Sequence, residues 1–360
     1  MKGYDVMSKL QTKEDTSYIT LLSVISAIAV VFLHVNKCFW TFSLDDDYWF
    51  SANIIECLFY FAVPIFFMIS GATLIDYRDR YSTKEYFIKR IKKTVIPFLI
   101  WTVISIGYFL WDKRINFSHI SLHYIVGRFL NPKPWIYWFF PKLFVVYSII
   151  PLLSFVPKEK RKNVFLYLAV LIFISNSLIP FIQNNVYHFE FELPFMVGGE
   201  YTFYILAGYW LRYFKLDRKK EIAVYVAAIL GLLIHIIGTY RLSMNAGSLI
   251  DTYKGYTNLP CVLYSLGVFL FFRNYGNKIM SRFLNKPVKF LSRYTFGIYL
   301  LHMYIVETFP KLINAVTGTY LYLRDTSLIY RLTAPFIIIP ICILIIFLLR
   351  KIPAIRHIVP

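Results

Sequence analysis

Long apolar stretches alternate with short polar ones along the whole chain of 360 residues. Most of these stretches approach the ~20 residues that an α-helix needs to cross a bilayer. The pattern therefore predicts an all-α polytopic membrane protein with about ten transmembrane helices. Pro64, Pro141 and Pro340 fall inside predicted spans, where neighbouring helices can satisfy the carbonyls that proline frees. The predicted spans are residues 18–40, 52–75, 94–111, 135–156, 163–182, 194–213, 221–239, 258–273, 289–310 and 328–350.

The composition agrees with a protein surrounded by lipid. Hydrophobic residues make up 58% of the chain and charged residues 16%, whereas soluble domains contain roughly 45–50% and about 25%. A soluble protein of this length has no interior large enough to bury so much apolar surface. The composition excludes a soluble enzyme, a disordered chain and a disulfide scaffold. The four cysteines lie in or beside apolar runs without metal-ligand spacing, so we expect small apolar filler and no metal site.

The formal net charge of +19 has two interpretations. A basic soluble protein would suggest nucleic acid, but in a membrane protein Lys and Arg collect in cytoplasmic loops. With the N-terminus inside, the polar segments on that side hold most of the 39 Lys and Arg residues. We therefore expect contact with membrane lipids, no nucleic-acid partner, and both termini in the cytoplasm after an even number of spans.

A single domain accounts for nearly the whole chain. Residues 1–17 form a polar cytoplasmic lead, 18–350 the transmembrane domain and 351–360 a cytoplasmic tail. The first apolar run is longer than the core of a cleaved signal peptide. The predicted outer loops 112–134 and 240–257 are expected to shape the choice of substrate, because of their position alone.

One ionisable side chain lies deep inside the first predicted span. His34 stands about sixteen residues into it, ~24 Å from its start and past the midplane toward the outside. Ser23 shares its helix face ~16.5 Å away, since eleven steps of 100° return to within about 20°. Ionisable residues in lipid are functional candidates, and a neutral imidazole can act as a base near pH 7. The alternative is a structural histidine that bonds a carbonyl of a neighbouring helix.

Other buried-looking polar residues have a structural alternative as well. His302 lies within the ninth span, where an interhelical hydrogen bond would satisfy it. Glu56 could orient an imidazole or face water at a span edge, and Glu200 opens the sixth span as a possible helix-end acid. His235 has no polar context, which favours a structural role.

A basic segment precedes the third span and a Ser-Gly pair ends the second. Lys89, Arg90, Lys92 and Lys93 lie just before Pro97, where they could anchor the chain at lipid phosphates or hold an anionic phosphate-bearing ligand. The pair Ser70-Gly71 permits close backbone approach, either for helix packing or for a ligand-lined turn. Trp135 and Trp138 open the fourth span and could stack on sugar rings or anchor the membrane interface.

Six segments in order resemble the acyltransferase 3 family, whose multi-pass membrane enzymes O-acetylate bacterial surface polysaccharides, enterobacterial common antigen among them. The match extends over nearly the whole chain and is specific because the order and spacing agree. The segments are Ala27-Ile-Ala-Val-Val-Phe-Leu-His34, Val63-Pro-Ile-Phe-Phe-Met-Ile-Ser-Gly71, Arg90 and Lys93 before Pro97, Trp138-Phe-Phe-Pro-Lys-Leu-Phe-Val-Val-Tyr147 with Pro151, Glu200-Tyr-Thr-Phe-Tyr-Ile-Leu-Ala-Gly-Tyr-Trp210, and Ser292-Arg-Tyr-Thr-Phe-Gly-Ile-Tyr-Leu-Leu-His302.

The resemblance implies an O-acetyltransferase of the bacterial inner membrane. Acetyl-CoA would be the donor on the cytoplasmic side, and the acceptor would be a hydroxyl of a surface glycan or of its lipid-linked precursor. His34 would serve as a general base or as an acyl-carrying nucleophile, with His302 and Glu200 beside it as catalytic candidates. Lys89, Arg90, Lys92, Lys93, Ser70 and Gly71 would bind the donor, and Trp135, Trp138 and Glu56 the acceptor.

The chain departs from the family pattern at two positions. The family often has an arginine eleven residues before the histidine, where this chain has Ser23. Lys93 stands where an arginine is usual, and lysine cannot form a bidentate phosphate fork. Two further hypotheses therefore stay open. One is a transporter or flippase of lipid-linked sugars without chemistry, and the other is a catalytically impaired relative. The sequence does not indicate an oligomeric state.

Overall fold

The protein is built from α-helices. A computed structural model describes residues 16–131, 136–187, 189, 199–280, 284–317, 326–353, 355, 358 and 359. The model is 82% helical and contains no strand among these residues, which confirms the all-α prediction. The α-helices are α1 (Ser17–Val35), α2 (Tyr48–Phe59), α3 (Ala62–Leu74), α4 (Thr83–Arg90), α5 (Ile96–Trp111), α6 (Leu122–Leu130), α7 (Phe139–Ser154), α8 (Lys158–Phe173), α9 (Ile179–Asn185), α10 (Thr202–Tyr213), α11 (Arg218–Leu233), α12 (Thr239–Ala246), α13 (Leu259–Ile279), α14 (Asn285–Ser292), α15 (Thr295–Thr317) and α16 (Leu328–Lys351).

Several helices are long and apolar enough to cross a membrane. Within the described part of the chain there are seven such stretches, some of which join successive helices through a π-helical segment, a 3-10 segment or a short turn. They are Ser17–Val35, Tyr48–Asp79, Thr83–Trp111, Ile136–Ser154, Lys158–Asn185, Arg218–Ala246 and Leu328–Lys351. The other three predicted spans overlap α10, α13 and α15, which are not among the seven. The protein is therefore a multi-pass membrane protein, and the count of ten and the cytoplasmic termini stay predictions.

Helix α1 lies at the centre of the bundle. It packs against α3, α13, α15 and α16, and most of its residues are buried. Because helices on several sides surround it, small and polar positions along α1 face protein rather than lipid. Ser26, for example, is fully buried. This central position is what gives the face that carries Ser23 and His34 access to the interior.

The predicted span 52–75 is two helices rather than one. Helix α2 ends at Phe59 and α3 begins at Ala62, with a turn at Tyr60 between them. Pro64 explains the break, because it lacks the N–H that would bond the carbonyl of Tyr60 in a continuous helix. The break places Glu56 near the end of α2 and Tyr60 at the turn.

The basic segment before the third span forms a helix of its own. A capping box starts α4: the hydroxyl of Ser82 accepts a bond from the backbone N–H of Glu85, and the Glu85 carboxylate accepts one from the backbone of Ser82. The helix then widens into a π-helical turn, Ile91–Val95, before α5. Pro97 has no N–H for the carbonyl of residue 93, which accounts for the local rearrangement.

Candidate active site

Helix α1 lines two cavities along one face. Ser23 lines a cavity of about 340 Å³ near the start of the helix, and Val30 and His34 line one of about 300 Å³ near its end. Ser23 and His34 are eleven residues apart, which corresponds to ~16.5 Å along the axis. The helix face expected from the sequence is therefore the shared wall of both cavities. We call them the donor cavity and the imidazole chamber.

His34 forms a pair with His302 of α15. Nε2 of His302 lies 3.2 Å from Nδ1 of His34, and the two ring centroids are 4.9 Å apart. Nδ1 of His34 also lies 2.8 Å from the carbonyl oxygen of Val30, and Nδ1 of His302 lies 2.9 Å from that of Ile298. The structure thus brings together two of the three residues expected to be catalytic.

These contacts assign a tautomer to each ring. A carbonyl oxygen only accepts hydrogen bonds, so Nδ1 carries the proton in both His34 and His302. Nε2 of His302 is then a lone-pair acceptor that faces the Nδ1–H of His34. The lone pair of neutral His34 is therefore on Nε2, which has no hydrogen bond to the described residues. A base oriented by a buried acceptor on its other nitrogen is the arrangement that proton-transfer sites use.

Aromatic side chains form the walls of the imidazole chamber. Tyr256 stacks on Tyr60 at 4.4 Å between centroids and on Trp138 at 5.6 Å. Trp138, a predicted acceptor-binding residue, therefore lines the chamber with His34. Flat aromatic surfaces present the apolar faces on which pyranose rings can pack.

The donor cavity is cationic. Arg90 and Lys93 line it together with Ser70 and Thr94, and no acidic side chain does so among the described residues. The guanidinium of Arg90 lies 5.4 Å from the ring centre of Tyr147. Its Nε is buried and has no hydrogen-bond partner among the described residues. A buried donor without a partner is costly, so this atom has capacity for an anionic ligand.

The two cavities meet at an aromatic constriction. Phe66, Phe139 and Tyr299 line both of them. The Phe66 and Phe139 centroids lie 6.2 Å apart, and those of Phe139 and Tyr299 5.7 Å apart. Rings at these separations pack against each other, so Phe139 contacts both Phe66 and Tyr299. The donor cavity and the imidazole chamber are thus adjoining compartments with three rings between them.

The Ser-Gly pair has two separate roles. Ser70 lines the donor cavity, whereas Gly71 faces α10: a Cβ built on it would lie 2.0 Å from the carbonyl oxygen of Ile205. Gly208 of α10 is its counterpart, with a Cβ that would lie 2.1 Å from the oxygen of Met68. Of the two alternatives that the sequence left open, helix packing describes Gly71. It is placed away from the donor cavity because the crossing of α3 and α10 requires direct backbone contact.

Glu56 lines the imidazole chamber and belongs to a buried ion pair. Nζ of Lys254 lies 2.6 Å from its Oε1, and both side chains are almost completely buried. The amide of Asn36 donates to Oε2 at 3.2 Å. Behind Asn36, Nη1 of Arg331 donates to its Oδ1 at 3.2 Å. Glu56 is therefore held by partners on both oxygens.

The remaining predicted site residues lie elsewhere or outside the described residues. Glu200 forms an ion pair with Lys142 and lines neither cavity within the described structure. Nζ of Lys89 lies 3.6 Å from the ring centre of Tyr81, and Lys92 is exposed; neither lines the donor cavity. Helical spacing explains why Arg90 and Lys93 line the cavity and Lys89 and Lys92 do not. Arg90, Lys93 and Thr94 share one helix face. Trp135 lies outside the described residues.

Sequence reasoning missed Lys254, Tyr60, Tyr256 and Asn36. Lys254 and Tyr256 come from a loop expected to shape substrate choice, but nothing in its sequence indicated these two positions. Asn36 follows His34 by two residues and lies near the end of an apolar run, where a polar residue gave no signal of its own. Only the fold brings Lys254 and Asn36 to Glu56 and places Tyr256 in the same cavity.

The paired imidazole of His34 lines one cavity of the helix bundle and the cations line the next, an arrangement that suits a membrane acyltransferase. The sequence model of the acyltransferase 3 family, described as an acyltransferase domain, matches residues 16–350. The chain therefore belongs to this family. A search of curated proteins returned no match, and neither did a search of solved structures.

Proposed function

We propose that this protein is an O-acetyltransferase that moves an acetyl group from acetyl-CoA to a sugar hydroxyl of a bacterial surface polysaccharide or its lipid-linked precursor. The observation that carries the proposal is the arrangement along α1. Arg90 and Lys93 line the donor cavity, His34 lines the adjoining imidazole chamber, and three aromatic rings separate the two.

The donor cavity suits the phosphate groups of the CoA moiety. Cationic side chains pair with phosphate oxygens through charge-assisted hydrogen bonds, and the unpartnered Nε of Arg90 is a donor ready for one. The pantetheine arm of CoA is long, narrow and unbranched near its thiol. To present its thioester to His34, such an arm has to displace the rings of Phe66, Phe139 and Tyr299, which separate the two cavities. Lys and Arg collect in cytoplasmic segments of membrane proteins. The proposal therefore places this cavity, with Arg90 and Lys93, on the side where acetyl-CoA occurs.

His34 acts in this proposal as a general base. Its Nε2 takes the proton from the acceptor hydroxyl while the oxygen attacks the thioester carbonyl carbon. The C–S bond then breaks, and the proton passes from Nε2 to the departing CoA sulfur. His302 stabilises the transient imidazolium, because its neutral Nε2 accepts a bond from Nδ1–H of His34. Base and orienting partner are positioned before the substrates arrive.

The test is acetyl transfer by purified protein in lipid nanodiscs with labelled acetyl-CoA and an extracted surface glycan. We expect His34→Ala to lower transfer by about 10²–10⁴-fold, while His235→Ala, which removes a buried imidazole that lines neither cavity within the described structure, keeps it. Full transfer by His34→Ala would contradict the proposal. If labelled protein accumulates when the acceptor is absent, His34 carries the acetyl group as a nucleophile and does not act as a general base. A flippase would move glycan without consuming acetyl-CoA.

A further inference from the structure

The imidazole chamber contains a charge pair with no role in the proposed proton transfer. Among the described residues that line the chamber, Glu56 is the one carboxylate. Its partner Lys254 lies directly behind it, with Nζ 2.6 Å from Oε1. Two opposite charges at this separation present little net charge to a ligand in the chamber.

Lys254 is enclosed and cannot turn away from Glu56 toward solvent. Its Nζ lies 4.0 Å from the ring centre of Phe39, 4.6 Å from that of Trp40 and 4.5 Å from that of Tyr60. The side chain is 1% exposed. Cation–π contacts and the carboxylate thus hold the ammonium in one place. Removal of its partner would leave an uncompensated buried cation beside the chamber.

Glu56 is equally fixed, and its orientation decides what the chamber accepts. Lys254 binds Oε1 and Asn36 binds Oε2, yet a carboxylate has about four acceptor positions in total. Lone pairs therefore remain for a hydroxyl donor from the chamber side. Arg331 lies behind Asn36 and does not line the chamber within the described structure. A second carboxylate in the chamber would face Glu56 with no free cation.

We propose that the Glu56–Lys254 pair makes the imidazole chamber selective for an uncharged sugar unit and against an acidic one. This inference rests on the proposed function, since it names the acceptor class for the same site. Neutral hydroxyls donate to Glu56, and the stacked rings of Tyr60, Tyr256 and Trp138 support the sugar face. A uronic acid binds more weakly because its carboxylate loses hydration in the chamber without gaining a free cation, since Glu56 already neutralises Lys254.

The test compares two ligands that differ only at C6, octyl β-D-glucoside and octyl β-D-glucuronide. Dissociation constants are measured below micelle-forming concentrations in nanodiscs by quenching of tryptophan fluorescence, because Trp40 and Trp138 line the chamber. The wild-type protein should bind the glucoside about tenfold more tightly or better, equivalent to ~1.4 kcal/mol. Glu56→Gln keeps the shape but exposes the charge of Lys254, and should shift the ratio of dissociation constants about tenfold toward the glucuronide.

A double variant controls for altered packing. Glu56→Gln with Lys254→Met removes both charges and should return the preference to the glucoside, which a merely damaged chamber would not do. The same ratio in wild type and Glu56→Gln would overturn the inference, and so would failure of both glycosides to bind any of these proteins. If the ratios shift as expected while no acetyl group is transferred, the enzymatic proposal fails and the charge selectivity stands.

Discussion

Nε2 of His302 lies 3.2 Å from Nδ1 of His34, although 268 residues separate the two in sequence. Each Nδ1 is also bonded to the carbonyl four residues earlier in its own helix. Together these bonds keep the free lone pair of His34 on Nε2. His302 is thus a positioning residue: it acts on the reaction through His34 and not by contact with the substrate.

His302→Ala should lower kcat and leave the KM for acetyl-CoA nearly unchanged. Nδ1–H of His34 then keeps the carbonyl of Val30 but loses its second acceptor, and loss of a hydrogen bond to a charged group corresponds to about tenfold to hundredfold in rate. The pH dependence of kcat should shift as well, because the imidazolium of His34 loses one of its two acceptors. His302→Gln, whose side-chain oxygen can accept the same bond, should recover part of the rate. Unchanged kcat in His302→Ala would refute the positioning role.

Arg90→Ala should raise the KM for acetyl-CoA about tenfold or more, since the variant loses a charge-assisted hydrogen bond to phosphate. Lys89→Ala is the matched control. It removes the same charge one residue away, but Lys89 packs on Tyr81 and does not line the donor cavity within the described structure. Steady-state kinetics over a range of acetyl-CoA concentrations distinguish the two. Equal effects would mean that Arg90 acts only through the overall charge of the segment.

Ser23→Arg should tighten CoA binding. Ser23 lines the donor cavity with Arg90 and Lys93, so an arginine there would add a third cation close to the same phosphates. The measurement is the rise in melting temperature that CoA produces, which grows as the dissociation constant falls. A smaller CoA-induced rise in Ser23→Arg than in the wild type would show that the added side chain fills the cavity and does not bind the ligand.

Gly208→Ala and Gly71→Ala should each destabilise the protein by about 1–3 kcal/mol, because the added methyl group would overlap a backbone carbonyl across the α3–α10 crossing. Gly107→Ala provides the control. It also lies within a helix, but nothing lies within 4 Å of its added Cβ, so the variant should gain up to ~1 kcal/mol from helix propensity. Thermal unfolding in detergent gives the three midpoints. Equal destabilisation in all three variants would contradict the packing role.

Asp112, which follows α5, should make the melting temperature depend on pH in the acidic range. Bonds from Lys311 and Arg114 hold the pKa of its carboxyl below the ordinary value of 3.8. A lowered pKa means that the ionised carboxylate stabilises the folded protein at neutral pH, and that this contribution disappears as the pH falls through the folded-state pKa. Asp112→Asn should therefore have a lower melting temperature than the wild type at pH 7. The difference should shrink below about pH 3.8, and a constant difference would contradict the assignment.

Much of the fold follows from composition and spacing. Runs of apolar residues required helices in lipid, since lipid offers the backbone no hydrogen-bond partners. The eleven-residue spacing of Ser23 and His34 placed both on one helix face because an α-helix has a fixed period. The exception is the break between α2 and α3, which Pro64 causes and which the apolar pattern concealed.

The sequence by itself determined the membrane class, the face of α1 that carries His34, and the basic segment with Arg90. Only the tertiary structure decided which residues meet. It paired His34 with His302, Glu56 with Lys254 and Glu200 with Lys142. It also placed Ser70 in the donor cavity and Gly71 in the contact between α3 and α10. The physical reason is that local period fixes where a side chain stands on its own helix, whereas contacts between distant helices depend on how the whole bundle packs.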